Sequence, residues 1–178
     1  PLAQRRPSIE LPWGSRIAEA VSIHGGPLEA YGFHAFEVLQ SFVESRQGGE
    51  TGVARVEYLR GRQLWNAARK GRWSLDLARA AMRAELGRTG PSVEQVPGEP
   101  PVTSDGLLIE YTDGLKATML NIGKCDMRWN FACRLVGERR PRATALNVGP
   151  WENRNLFKAL SHAIQVHFRT GQAPYPVE

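Results

Sequence analysis

The residue types best suited to chemistry gather in one stretch, Gly25 to Glu44, which opens on Gly25-Gly26-Pro27 and carries His34 just inside the helical pattern that follows. Histidine titrates near neutral pH, so His34 is the natural candidate for general acid or base work. Glu37 falls one helical turn further along the same side, while Glu29 and Tyr31 stand at the bend where a ligand would come closest. These three are the candidate substrate contacts. The competing reading of His34 is a quiet, hydrogen-bonded histidine on a helix edge. His24, beside the glycine turn, is a candidate supporting residue; His162 and His167 have no visible partner and read as structural.

Several chemistries are excluded by what the sequence lacks. No Gly-x-Gly-x-x-Gly opens a helix after a strand, and no Walker-type phosphate loop is present, so no nucleotide site is expected in this chain. Neither a Gly-x-Ser-x-Gly elbow nor a His-Glu-x-x-His pair occurs. The two cysteines, Cys125 and Cys133, lack metal-ligand spacing, so no metal is expected and a reduced, cytoplasmic setting is the default. No apolar run reaches the ~18 residues of a spanning helix, which argues against a membrane. The formal charge of +5 is spread along the chain, apart from Glu138-Arg139-Arg140-Pro141-Arg142. A nucleic-acid footprint should form a patch or stripe, so nucleic acid is not expected as a partner.

The elements that must position these residues follow from periodicity. Pro1 to Gly14 has prolines too closely spaced for a helix or inner strand and reads as an extended lead-in arriving from elsewhere. The remainder, 15–178, reads as a single domain. Ser15 to His24 predicts a strand feeding the glycine turn, then a helix to about Arg46 with Leu28, Tyr31, Ala35, Val38, Leu39 and Phe42 in its stripe. Gly52 to Leu59 predicts a strand, and Gln63 to Arg69 and Ser74 to Leu86 predict helices, with Ser74 as N-cap and Trp65 and Trp73 as a packing seam. The Gly-, Pro- and Ser-rich stretch 87–104 predicts a mobile loop. Beyond it the period becomes two: Gly106 to Tyr111 and Leu115 to Asn121 form a hairpin about Asp113-Gly114, followed by strands over Met127 to Val136 and Arg142 to Val148. Asn155 to Thr170 predicts a last helix. The order implies an α+β domain: a largely antiparallel mixed sheet with helices packed on one face. The other face, with Lys116, Thr118, Arg128 and Asn130, is expected to be open and to meet solvent or a partner, such as a second copy in a homo-oligomer.

The run Gly25-Gly26 through Tyr31-Gly32-Phe33-His34-Ala35-Phe36-Glu37, with Gly48-Gly49-Glu50-Thr51-Gly52-Val53, the Asp113-Gly114 hairpin and the closing Gly171 to Glu178 segment, resembles the C-terminal domain of the glucose-fructose oxidoreductase and inositol dehydrogenase (Gfo/Idh/MocA) family. The resemblance implies a substrate-binding and oligomerising domain of an NAD(P)-dependent oxidoreductase acting on a sugar, polyol or related carbohydrate. NAD or NADP would be bound by an N-terminal Rossmann domain outside this chain. It also implies a catalytic role for His34, since Gly32-Phe33-His34 match the Gly-x-His of the family's Asp-x-Gly-x-His signature. Ala30 stands where that signature has its aspartate, with Glu29 beside it. The alternative is a non-catalytic ligand-binding or assembly protein on the same fold.

Overall fold

In the computed structural model residues 4–96, 104–123, 128–147 and 152–172 are described. The chain divides into two units, 5–146 and a second of 1–4 with 147–178.

The first unit is organised by a central strand, β2 (Ile17–His24), following a short β1 (Gln4–Arg6). At the end of β2 the chain turns through Gly26, whose φ of +80° is left-handed and so suited to a residue without Cβ. Gly26 N–H donates to the Gly123 carbonyl (3.2 Å). Pro27 caps α1 (Leu28–Val43), its φ of −64° being that required at a helix start, and its carbonyl accepts from the Ala30 and Tyr31 amides. Then come β3 (Val53–Arg60), α2 (Arg62–Arg69) and α3 (Leu75–Leu86), with the Ser74 side chain accepting from the Leu77 amide as expected of a cap. β4 (Asp105–Tyr111) and β5 (Lys116–Asn121) form the hairpin about Gly114, at φ +86°, and β6 (Trp129–Leu135) and β7 (Arg142–Asn147) complete the sheet.

The α+β class holds, with a mixed sheet of seven strands in the order β1-β7-β6-β2-β5-β4-β3. The late strands do not lie side by side in chain order. β2 inserts between β5, which it pairs in parallel, and β6, which it pairs antiparallel. The cause is visible in β2 itself: from Ala20 to His24 every residue is buried, as in a strand covered on both faces.

Helix placement corrects the expectation of one open face. Leu39, Phe42 and Val43 of α1 pack with Ala20, Ala117, Phe131 and Cys133. Leu64, Ala67, Leu77, Ala81 and Met82 of α2 and α3 pack with the alternate residues Val21, Ile23, Leu120 and Ala132, hence on the opposite face. The face expected to be open is therefore occupied at its centre: Thr118, Arg128 and Asn130 are buried. Glu85 of α3 accepts from Arg128 Nε (2.8 Å) and Asn130 Nδ2 (2.7 Å), holding both polar side chains under the helix. The physical reason is that α2 and α3 bring a second apolar surface that only this side of the sheet can bury. Trp65 and Trp73 form the expected seam, with ring centroids 5.8 Å apart and Trp73 Nε1 donating to the Leu64 carbonyl (2.9 Å).

The opening stretch is more than a lead-in. β1 lies at the sheet edge beside β7, Ile9 is buried in the α1-side core, and Thr144 Oγ1 donates to the Pro7 carbonyl (2.7 Å). The loop expected over 87–104 is anchored in its first half, where the short 3-10 turn Val93–Gln95 buries Val93 against the α3 side. Residues 97–103 lie outside the described residues, as do Cys125, Met127 and 173–178.

At the far end of α1 Arg46 is enclosed. Its Nε donates to Asp113 Oδ2 (2.8 Å), Nη1 to the Val43 carbonyl (2.7 Å) and Nη2 to Thr51 Oγ1 (2.6 Å), while the guanidinium lies 4.7 Å over the Tyr111 ring. One side chain thus ties the end of α1 to the approach to β3 and to the β4–β5 hairpin.

The second unit contains α4 (Glu152–Thr170), three residues longer at its start than expected. Its C-terminus is closed by Gly171 at φ +68°, whose amide donates to the His167 carbonyl (2.8 Å). His167 Nδ1–H donates to the Gln172 carbonyl (3.1 Å), the structural role expected for this residue.

Candidate functional site

β2 and β5 run parallel and end together, His24 opposite Asn121. Across the remaining ladders Asn121 stands opposite Asp105 of β4, Asp105 opposite Arg60 of β3, and His24 opposite Trp129 of β6. Residues directly opposite share a face, so Arg60, Asp105, Asn121, His24 and Trp129 form one transverse row on the α1 side of the sheet. Ser22 lies one pleat back from His24 on the same side.

The row is chemically defined by its bonds. His24 is 1% exposed, and its Nδ1 lies 3.2 Å from the Gly25 carbonyl. A carbonyl only accepts, so the proton sits on Nδ1 and Nε2 presents a lone pair. Burial holds the His24 pKa below its ordinary value, against the smaller opposing effect of the Gly25 bond, and keeps the ring neutral. Asp105 is pushed upward by burial, opposed by hydrogen bonds from the Asn121 amide and the Tyr58 hydroxyl and by the charge of Arg60. Ser22 Oγ, His24 Nε2, Asn121 Oδ1 and Asp105 Oδ1 are all buried without a hydrogen-bond partner among the described residues.

Trp129 joins this row to α1. Its ring stacks on His24 (6.2 Å, 18°) and meets Tyr31 (5.9 Å, 68°) and His34 (6.2 Å, 88°) edge-on. The structure therefore brings Tyr31 and His34 together with the initially secondary His24 around one indole. His34 Nδ1 is 3.1 Å from Glu37 Oε2, the i, i+3 contact expected from their spacing, with the two side chains 60% and 57% exposed. Such a surface pair is worth a few tenths of a kcal/mol for stability; its consequence is orientation of the ring. Glu29 is exposed in the first turn, where a carboxylate complements the helix's positive end.

No protein-family model, curated protein or solved structure matches this chain. The reading of the site rests on its own geometry.

Sequence reasoning missed Ser22, Asn121, Asp105 and Trp129. The signal present was that Ser22 and His24 interrupt an apolar strand, and that Asn121 ends another, Ala117-Thr118-Met119-Leu120-Asn121. A polar side chain in a strand buried on both faces needs a reason.

Other groups offer less. Among the described residues no cluster of three or more His, Cys, Asp or Glu could hold a metal. Cys133 is buried and its thiol is pushed up to about 12 by desolvation, which leaves it un-ionised and unreactive. In the basic run, Arg142 is engaged, donating to Glu138 (2.6 and 3.0 Å) and to the Glu10 carbonyl (2.7 Å). A recess of about 200 Å³ on the opposite face is lined by Arg55, Glu57, Arg72, Glu110, Lys116 and Thr118. Glu57 is already paired with Arg72 and Arg55 there. No helix among the described residues is long and apolar enough to cross a membrane.

Proposed function

We propose that this chain is the substrate-binding domain of an NAD(P)-dependent oxidoreductase acting on a sugar, polyol or related carbohydrate. The observation that carries the reading is the pairing of His34 with Glu37 beside Trp129, at the end of α1 where Tyr31 also converges. With Nδ1 bound to a carboxylate, His34 presents Nε2 to a substrate hydroxyl, and Glu37 stabilises the ring as it takes up the proton. Glu37 thereby does from one turn ahead what a carboxylate at position 30 would do; Ala30 has none. Trp129 and Tyr31 offer apolar faces to the carbon side of a carbohydrate ring.

A bound nicotinamide would exchange hydride with the substrate carbon. The row residues of this chain do not fit the dinucleotide itself. The row presents lone pairs and a carboxylate rather than the amide cradle a pyrophosphate needs, which supports a cofactor held by a Rossmann domain outside this chain. What these residues do is bind the carbohydrate, orient it on Trp129 and move a proton at His34 Nε2.

The test is turnover by the full-length polypeptide with sugars and polyols. His34→Ala should lower kcat by ~10²-fold or more, and Glu37→Gln by a smaller factor. Unchanged turnover in His34→Ala removes the assignment. The second reading, a ligand-binding or assembly protein without catalysis, is favoured by the exposure of both His34 and Glu37. Saturable carbohydrate binding without any nicotinamide reduction in the full-length protein would decide for it.

A further inference from the structure

β3 stands last in the sheet order and, among the described residues, pairs only with β4. A bulge between Val53 and Arg55 interrupts that ladder at its start, and from Arg55 to Arg60 it is regular. The strand carries no proline, one of the means by which natural edges turn other strands away, and its Val56 and Tyr58 are 54% and 49% exposed. One bond fixes the direction of its backbone groups. Gly61 N–H donates to the Ser104 carbonyl (2.8 Å), next in the ladder after Arg60 and Asp105. Bonded and non-bonded pairs alternate between antiparallel strands, so Leu59, Glu57 and Arg55 exchange bonds with β4, while the amides and carbonyls of Val56 and Tyr58 point outward. Such an edge is a template for one more strand.

The side chains select which strand fits. Val56 and Tyr58 stand opposite Ile109 and Leu107, on the α1 face; Arg55 and Glu57 stand on the other, Glu57 in line with Leu108, Thr118 and Val21. A second β3 laid antiparallel about a two-fold axis perpendicular to the sheet keeps both faces continuous and sets each residue opposite one from the same face. Centred on Arg55 or on Glu57, this pairing brings like charges directly together, which is destabilising. Centred on Tyr58, it leaves Glu57 opposite Leu59 and both charges unmatched. Centred on Val56, it places Arg55 opposite Glu57 of the second copy, twice, at the non-hydrogen-bonded positions where side chains come closest. The same register brings the outward amide and carbonyl of Val56 against those of its own symmetry mate, with each Tyr58 diagonal to the pair and within reach of it. Glu57 has capacity for the new contact: Arg72 and Arg55 of its own chain both donate to Oε2, and the other carboxylate oxygen also accepts. Arg55 is 68% exposed and turns from the Glu57 two residues along to the one it faces.

We propose that two copies of this chain join edge to edge through β3, antiparallel and centred on Val56, so that their two seven-stranded sheets become one. The second copy thus meets the edge of the sheet rather than the face, whose centre α2 and α3 already occupy. The charges that close this edge to other strands, Arg55 and Glu57, open it to its own kind in a single register. The contact is short, so the association is weak and depends on concentration. The inference goes beyond the oxidoreductase reading and is independent of it.

The experiment is sedimentation velocity of the full chain at concentrations from about 5 µM to about 1 mM, with folding of each variant checked by circular dichroism. The expected result is a monomer–dimer equilibrium with half of the chains paired at roughly 100 µM. Arg55→Glu and Glu57→Arg should each weaken self-association ~10-fold or more, since each turns two attractive cross-strand pairs into repulsive ones. Mixed in equal amounts, the two variants should pair at least as well as the wild type, because every charge then faces its opposite. Val56→Pro removes an amide that β4 does not use, so it should keep the fold and abolish the dimer. A chain that stays monomeric up to about 1 mM overturns the proposal. So does a dimer that folded Val56→Pro leaves unchanged, or a mixture of the two folded charge variants that pairs no better than either alone. If Glu57→Arg loses its fold along with its bond to Arg72, then Val56→Pro and the exposed Arg55→Glu decide the matter, and undiminished association in either overturns the proposal.

Discussion

Replacing Arg46 with alanine should be among the most destabilising single changes in the chain, and the structure sets its size. Three hydrogen bonds of 2.6–2.8 Å and the contact with Tyr111 vanish together. Removing one member of a buried ion pair typically costs 3–5 kcal/mol, because the other charge is left stranded. Here the stranded group is Asp113, whose side chain is 32% exposed against 2% for Arg46, so water recovers part of that loss. The Val43 carbonyl loses the guanidinium but keeps the bond it accepts from the backbone amide of residue 46 (3.3 Å), so it is not stranded. The expected cost is about 2–4 kcal/mol, or roughly 4–16 °C in Tm for a chain of this length. Arg46→Met, which keeps the packed stem, should recover about 1 kcal/mol of this. Asp113→Asn should cost less than Arg46→Ala, since the guanidinium keeps its bonds to Val43 and Thr51. Urea unfolding followed by tryptophan fluorescence measures all three variants on one scale. A cost below about 0.5 kcal/mol for Arg46→Ala, the range of ordinary surface substitutions, would refute the view that this side chain locks α1 in place. So would Asp113→Asn matching Arg46→Ala, which would mean that charge alone carries the effect.

Two further outcomes follow from the titrating groups. His24 has a native pKa below its unfolded one, so the unfolded chain takes up the proton first; stability is full above about 6.5, the unfolded value, and falls as pH drops below it. Asp105, shifted upward, acts in the opposite sense at lower pH. Urea midpoints at pH 7.5 and 5.5 should fall further in the wild type than in His24→Gln, and equal falls would show that His24 is not the group responsible. Cys133, with its pKa near 12, should resist iodoacetamide at pH 8 in the native state and react only on unfolding. A Cys125→Ser background isolates its signal, and rapid native labelling there would contradict its burial.

Local order was legible wherever one residue type dictates a conformation. Ser74 capped α3, Asp113-Gly114 turned the β4–β5 hairpin, and Pro27 after two glycines started α1. What the sequence concealed was long-range pairing. Nothing local announces that β5 pairs with β2 rather than with β6, because an apolar strand accepts either neighbour and the choice is made by burying both faces at once. The same blindness hid half the candidate site. His34 was found because helix periodicity places it, and Glu37 follows at one turn. Asn121 and Asp105 acquire meaning only through register, which sets them in line with His24 across strands 97 and 81 residues away in the chain.

That register has a consequence for how the protein is made. Val21 of the central strand pairs with Thr118 on one side and Ala132 on the other, so neither neighbour exists when β2 leaves the ribosome. At 5–20 residues per second its partner on β5 follows after roughly 5–20 s. During that interval the most apolar strand of the sheet has two bare edges and only α1, its immediate successor, to shelter one face. The helix that presents His34 is therefore also the first cover for the strand that presents His24, and the order of synthesis gives the nascent chain that cover well before the sheet can close.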